Sequence, residues 1–219
     1  AANAGLDILK KGGHAVDAAV CAASVLNVVE PMSTGIGGDV FALIYDSKTK
    51  SVEALNGSGK SSINTDIDKL EEIGLDSIPL DGKHSGMAVS VPGCVDAWSQ
   101  ILQKYGAFSL DTVLASAIDY AQFGFGVSEF TANSWKQSES KLSVNGHCEY
   151  LPSGRAPRFG EQVFLPHLCE TLKGISENGM TFVYQGVIPE KISSYAKKFS
   201  GWICEEDFFK HTSRWVKPI

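Results

Sequence analysis

Ser33-Thr34-Gly35-Ile36-Gly37-Gly38-Asp39 is a glycine-rich turn that opens into Val40-Phe41-Ala42-Leu43-Ile44-Tyr45-Asp46, an almost uniformly apolar run of strand length. Polar Ser47-Lys48-Thr49-Lys50 then turns the chain, and Ser51-Val52-Glu53-Ala54-Leu55-Asn56 alternates as a second strand. The two runs predict an antiparallel hairpin. A first strand this apolar is expected to be covered on both faces.

Helices flank the hairpin. Upstream, Leu6, Ile8 and Leu9 precede Lys10-Lys11-Gly12-Gly13, a helix with basic residues in its last turn and glycine as its stop. Val16, Ala19, Val20, Ala23 and Leu26 recur at helical spacing, and the alanines admit close approach of another backbone; Pro31 ends this core helix. Downstream, residues 64–83 are charged and turn-rich, a surface excursion before a short strand at Met87-Ala88-Val89-Ser90-Val91, which Pro92-Gly93 turns. Val95, Trp98, Ile101 and Leu102 mark a helix, and residues 110–120 another. Residues 133–160, rich in Ser, Gly and Pro, read as a long loop, after which 168–178 and 189–199 return to helix, with Gly179 and Gly186 as stops. Paired strands between apolar helices imply an α+β class, an antiparallel sheet covered by helices; the length suits one domain or two small ones, and the chain is read as a single domain over residues 1–219.

Composition narrows the function. With 219 residues, 43% of them hydrophobic, the chain can bury a sizeable core. A formal charge of -6 and no basic stripe exclude nucleic acid as the main partner, because phosphate binding needs clustered Lys and Arg. The longest apolar run, residues 15–29, is interrupted by Asp17, Ser24 and Asn27, so no membrane span is predicted. The first residues, Ala1 to Leu6, read as a helix in progress without the features of a secretory signal. Cys21, Cys94, Cys148, Cys169 and Cys204 are odd in number and scattered, which fits reduced thiols and favours a cytoplasmic location over a periplasmic or secreted one. His84, His147, His167 and His211 lack metal-ligand spacing, and neither metal nor cofactor is predicted. His14 at a helix start reads as a capping residue, Asp17 as a buried hydrogen-bonding group, and Trp98, Trp135, Trp202 and Trp215 as packing.

Two motif-like stretches fail on spacing. Gly59-Lys60-Ser61 ends like a phosphate loop, but Ala54 stands where that motif needs glycine, and no helical pattern follows Ser62. Gly35-Ile36-Gly37-Gly38 precedes a strand rather than a helix, the reverse of the dinucleotide-binding order.

Read in order, Ala4-Gly5-Leu6-Asp7-Ile8-Leu9-Lys10, Gly12-Gly13-His14-Ala15-Val16-Asp17-Ala18-Ala19-Val20, Val29-Glu30-Pro31 and Thr34-Gly35-Ile36-Gly37-Gly38-Asp39-Val40-Phe41 resemble the large subunit of the γ-glutamyltranspeptidase family. Ser90-Val91-Pro92-Gly93, Lys104-Tyr105-Gly106, Ala117-Ile118-Asp119-Tyr120-Ala121, Glu177-Asn178-Gly179 and Trp215-Val216-Lys217-Pro218-Ile219 continue the resemblance along essentially the whole chain. The resemblance implies part of a four-layer αββα sandwich, cut from a precursor that processes itself to leave a threonine leading a separate small subunit. That threonine would attack a small amide such as glutathione, its own α-amine acting as base. The partners implied are the small subunit and the small-molecule amide, with a higher oligomer left open. No catalytic residue carries over onto this chain, which reads as an incomplete large subunit lacking the nucleophile.

In the family, the second strand enters a loop bearing an arginine that grips the substrate's α-carboxylate, a bidentate use of guanidinium that lysine cannot copy. The corresponding loop here is Asn56-Gly57-Ser58-Gly59-Lys60-Ser61-Ser62, and Ser58 stands opposite that arginine. Asn56, Ser58 and Lys60 are therefore the candidate substrate-binding residues, with Lys60 supplying the charge to a carboxylate or other small anion. The departure at Ser58 opens two alternatives: an oxamate- or cephalosporin-type amidohydrolase, and an inactive homologue that merely holds an anion.

Overall fold

The computed structural model describes residues 1–80, 82–143 and 149–218. In chain order the helices are α1 (Ala2–Lys10), α2 (Ala15–Val29), α3 (Ile67–Glu72), α4 (Cys94–Tyr105), α5 (Leu110–Phe123), α6 (Glu129–Ser143), α7 (Pro166–Asn178), α8 (Met180–Tyr184), α9 (Val187–Lys197) and α10 (Glu205–Phe209). The strands are β1 (Val40–Asp46), β2 (Ser51–Gly57), β3 (Phe125–Gly126), β4 (Gln162–Val163) and β5 (Arg214–Val216). The chain is α+β, as its sequence predicts. His147 and Cys148 lie outside the described residues.

The chain divides into two compact units, and each has its own core. The first comprises residues 1–36 and 101–177. Here α2 packs against α1 and α5, and Val25, Val28, Val113, Leu114 and Ala117 are fully buried between them. A Cβ added at Gly5 would sit 3.0 Å from the Ala18 carbonyl, so α1 and α2 approach as closely as small residues permit. The buried face of α2 is turned from the predicted one. Ala19 is exposed, while Asp17, Val20, Cys21, Ser24, Val25 and Val28 point inward.

Asp17 explains that turn. Its carboxylate accepts the His14 amide at 2.6 Å, closing the first turn of α2. It also accepts the amides of Ala107 at 3.0 Å and Phe108 at 3.1 Å. The buried carboxyl group satisfies amides left open at the start of one helix and in the turn after another, the structural role expected of it.

The polar stretch after Asn133 is not one long loop. Helix α6 runs on to Ser143, anchored by buried Thr131 and Trp135 one turn apart, with the Trp135 Nε1 donating to the Tyr150 carbonyl at 2.7 Å. Beyond Tyr150, Arg155 and Glu161 form a bidentate pair at 2.7 and 3.0 Å.

The second unit comprises residues 37–100 and 178–219. Its sheet has the order β1-β2-β5, antiparallel throughout, with Val40 opposite Gly57, Asp46 opposite Ser51 and Asn56 opposite Arg214. The hairpin is thus where the sequence places it. The expectation that both faces of β1 are covered fails. Phe41, Leu43 and Tyr45 are 69%, 73% and 63% exposed, and Val52 and Val216, opposite Tyr45 and Ala54, extend the same bare apolar face. The other face carries Leu55, buried in a core with Trp98, Ile203 and Phe208. The short strand expected at residues 87–91 is absent; Gly82–Ala88 coils into a 3-10 helix, with the Gly86 amide bonded to the Phe199 carbonyl.

Candidate functional site

The candidate site lies where the open end of the β1–β2 hairpin meets the approach to α4. Three backbone segments converge there: Gly38-Asp39 before β1, Asn56 to Lys60 leaving β2, and Val91 to Cys94 entering α4. The Gly38 carbonyl accepts the amides of Gly93 at 3.1 Å and Cys94 at 2.9 Å, and the Lys60 carbonyl accepts the Val91 amide at 3.0 Å.

Packing leaves no room for side chains at the crossing. A Cβ on Gly59 would lie 1.6 Å from the Val91 carbonyl oxygen, and one on Gly93 would lie 2.0 Å from that of Gly57. These glycines are needed for backbone contact, not for nucleotide binding.

The three candidate residues lie together on this loop in different roles. Asn56 Oδ1 accepts the Ser58 amide at 3.0 Å, an Asx turn that starts the bend. Ser58 is half-buried, and its hydroxyl lies 3.5 Å from Asp39 Oδ2 and 3.3 Å from the Gly59 carbonyl. Lys60 is exposed, held by its backbone, and its ammonium makes no salt bridge among the described residues. The loop therefore presents an exposed ammonium on a backbone held by the Asp39 carboxyl and by Val91.

Asp39 is the residue that the sequence reading missed. Its Oδ1 accepts the Gly59 amide at 2.8 Å, tying the loop to the start of β1. The signal was available: pairing Asp46 with Ser51 and counting back along the hairpin brings Asp39 opposite Ser58. Behind the crossing, the Tyr184 hydroxyl donates to the Pro92 carbonyl at 2.6 Å and accepts the Asp96 amide at 3.1 Å. Burial pushes the Tyr184 phenol far above its ordinary value, so it stays a proton donor. Asp207 fastens the chain beyond the loop by accepting the amides of Ile63 and Cys204, each at 2.8 Å. Burial alone would raise its pKa, but these amides outweigh that and hold the carboxyl below the usual range.

His84 bonds Ser200 through Nδ1 at 3.1 Å, and His14 Nδ1 lies 2.9 Å from the Tyr105 carbonyl. Among the described residues, no three His, Cys, Asp or Glu side chains gather as a metal site, and no helix is long and apolar enough to cross a membrane.

The γ-glutamyltranspeptidase family model matches residues 1–219. The chain is 38% identical to the glutathione hydrolase-like YwrD proenzyme of Bacillus subtilis, over all of this chain and 41% of that protein. Among solved structures, cephalosporin acylase from Bacillus halodurans is 34% identical with a TM-score of 0.90, over 99% of this chain and 41% of that one. The γ-glutamyltranspeptidase of Helicobacter pylori is 28% identical, also with a TM-score of 0.90, over 99% of this chain and 63% of the other. The chain thus spans about two fifths of the length of the curated relatives it matches.

Proposed function

Because the chain belongs to the γ-glutamyltranspeptidase family, we propose that it is the scaffold and substrate-clamp part of an N-terminal-nucleophile amidohydrolase acting on a small acidic amide. In this reading, a threonine-led small subunit cut from the same precursor supplies the nucleophile. The observation that carries it is one hairpin bearing both a pinned, cation-presenting loop at its open end and a bare apolar face along its length.

Each feature has a task. The bare face of Phe41, Leu43 and Tyr45 is a surface for the small subunit, since a contiguous apolar sheet face left in water is costly. Lys60 meets the substrate's carboxylate as a point charge, while the loop backbone sets its position. The threonine hydroxyl attacks the amide carbon, its α-amine takes the proton, the C–N bond breaks and the amine leaves with a proton. Water resolves the acyl-enzyme to an acid, or an acceptor amine takes the acyl group.

Ser58 favours a second reading of the substrate. With serine opposite the family's arginine, the bidentate grip on a γ-glutamyl α-carboxylate is lost, which suits a cephalosporin-type or oxamate-type amide better than glutathione. Cys21, Cys169 and Cys204 form no disulfide, which fits the cytoplasmic setting of this reading.

Intact-mass and amino-terminal analysis of the full-length product tests the processing, followed by hydrolysis assays on γ-glutamyl p-nitroanilide, oxamate and a cephalosporin side-chain amide. A new threonine-led chain with amidase activity is expected. A single uncut and inactive chain would leave the anion-binding homologue as the better reading.

A further inference from the structure

Behind the loop lies a titratable group that the proposed chemistry does not use. The His211 ring is fully buried, stacked on Tyr184 with centroids 5.3 Å apart and planes at 19°, and neither ring nitrogen has a hydrogen-bond partner. Its Nε2 stops 3.9 Å short of Asp96 Oδ2. That oxygen is already engaged, accepting the Ser213 amide at 2.5 Å and the Gln100 side-chain amide at 3.0 Å. The Ser213 hydroxyl is likewise buried and unpartnered. A buried imidazole with both nitrogens idle, next to a carboxylate held by another donor, is an arrangement with a second state close by.

We propose that His211 is a proton-operated positioning residue for the Asn56–Lys60 loop. With the ring neutral, Asp96 holds the Ser213 amide. A proton on the ring makes an imidazolium within reach of Asp96 Oδ2 and draws that oxygen away from Ser213. Ser213 immediately precedes β5, whose Arg214 pairs with Asn56, so the lost bond loosens β5 where β2 enters the loop. Charges near the ring set its affinity for the proton, and Tyr184 stacks on it. Asp96 of α4 and Asp39 before β1 favour the proton, Lys60 opposes it, and Tyr184 of α8 stays neutral. Burial outweighs them and moves His211 below the ordinary imidazole value, so the transition falls on the acid side of neutrality.

The consequence for catalysis rests on the reading that the loop holds substrate, and the test separates the two. Hydrogen exchange of the segment containing β5, corrected for intrinsic chemistry, is followed in the full-length processed enzyme between about pH 8 and about pH 5, spanning the imidazole range. Wild type is expected to lose up to about tenfold in protection per unit of pH as pH falls from the ordinary imidazole value toward the lowered value of the closed state, and to level off below it. His211→Gln and His211→Phe are expected to be flat, the second keeping the stack on Tyr184 should the first fold poorly. A flat wild type, or unchanged pH dependence in both variants, overturns the proposal. In the same samples, KM is measured for the amide that the hydrolysis assays show to be cleaved fastest. A KM that rises in step with exchange supports the substrate loop; a constant KM beside changing exchange keeps the switch and removes the loop from substrate binding.

Discussion

The Asp39 carboxylate accepts the Gly59 amide at 2.8 Å, joining the residue before β1 to the loop after β2 across the open end of the hairpin. That bond fixes the loop from which Lys60 projects. Asp39→Ala removes this acceptor, a loss of about 1–2 kcal/mol in loop ordering. The KM for the amide substrate is expected to rise by roughly 5- to 30-fold, with kcat little changed. Steady-state kinetics on the processed enzyme check it, and an unchanged KM would detach the loop from substrate binding.

Lys60→Ala tests the cation directly. Its side chain is exposed, so thermal stability is expected to stay within about 0.5 kcal/mol of wild type. Substrate affinity is expected to fall about tenfold or more, with Lys60→Arg recovering part of it. Equal KM values for wild type and Lys60→Ala would leave this residue as an ordinary surface lysine.

The glycines at the crossing separate a packing requirement from mere sequence character. Gly59→Ala places a methyl 1.6 Å from the Val91 carbonyl oxygen, inside any allowed contact, while a Cβ on Gly35 meets nothing within 4 Å. Gly59→Ala is expected to cost more than about 3 kcal/mol or abolish folding, and Gly35→Ala to be close to neutral. Denaturant melts of the two variants decide it; similar midpoints would mean that the crossing is looser than its geometry.

Glu161 links stability to acid. The Arg155 guanidinium, assisted by the Arg158 amide, holds its carboxyl at about 2, below the ordinary glutamate range. The folded state therefore binds fewer protons than the unfolded chain between the ordinary value and about 2. This stabilisation is fully present above the unfolded pKa and is lost as pH falls through the folded one. Both partners are partly exposed, so salt weakens the effect. In acid-unfolding curves, Glu161→Gln is expected to flatten the slope in that window and leave the slope near neutrality unchanged.

What could be read from the chain follows the physics of each signal. The hairpin and helices α1, α2, α4, α5, α7 and α9 announce themselves by periodicity and by glycine and proline stops, because those cues are local. Helix α6 escapes because its hold is Trp135 in a polar surround, and polarity reads as loop. Strand β5 is three residues long, too short for alternation to register. The open face of β1 is invisible in principle, since an apolar residue signals burial without saying in which chain. At the candidate site, Asn56, Ser58 and Lys60 are legible because they are neighbours in sequence. Asp39 needed the pairing register, and His211 and Tyr184 come from distant segments that only the fold brings together.

Leu43 stands at the middle of the bare face, 73% exposed, in a row with Ala54 and Val216 across three strands. Its side chain lies away from the Leu55 core, so Leu43→Lys should leave the packing of this unit intact. If the face receives the small subunit, the same substitution buries an unpaired ammonium in an apolar contact, a cost of several kcal/mol. The variant is therefore expected to yield a chain that folds but neither processes nor retains its partner. Ser51→Lys, at the exposed far end of the hairpin, is expected to process normally. Co-purification of the two subunits after expression of the full-length gene reads this out. Normal assembly by Leu43→Lys would show that this face stays in water in the mature protein, and the stability of the sheet would then have to come from its Leu55 side alone.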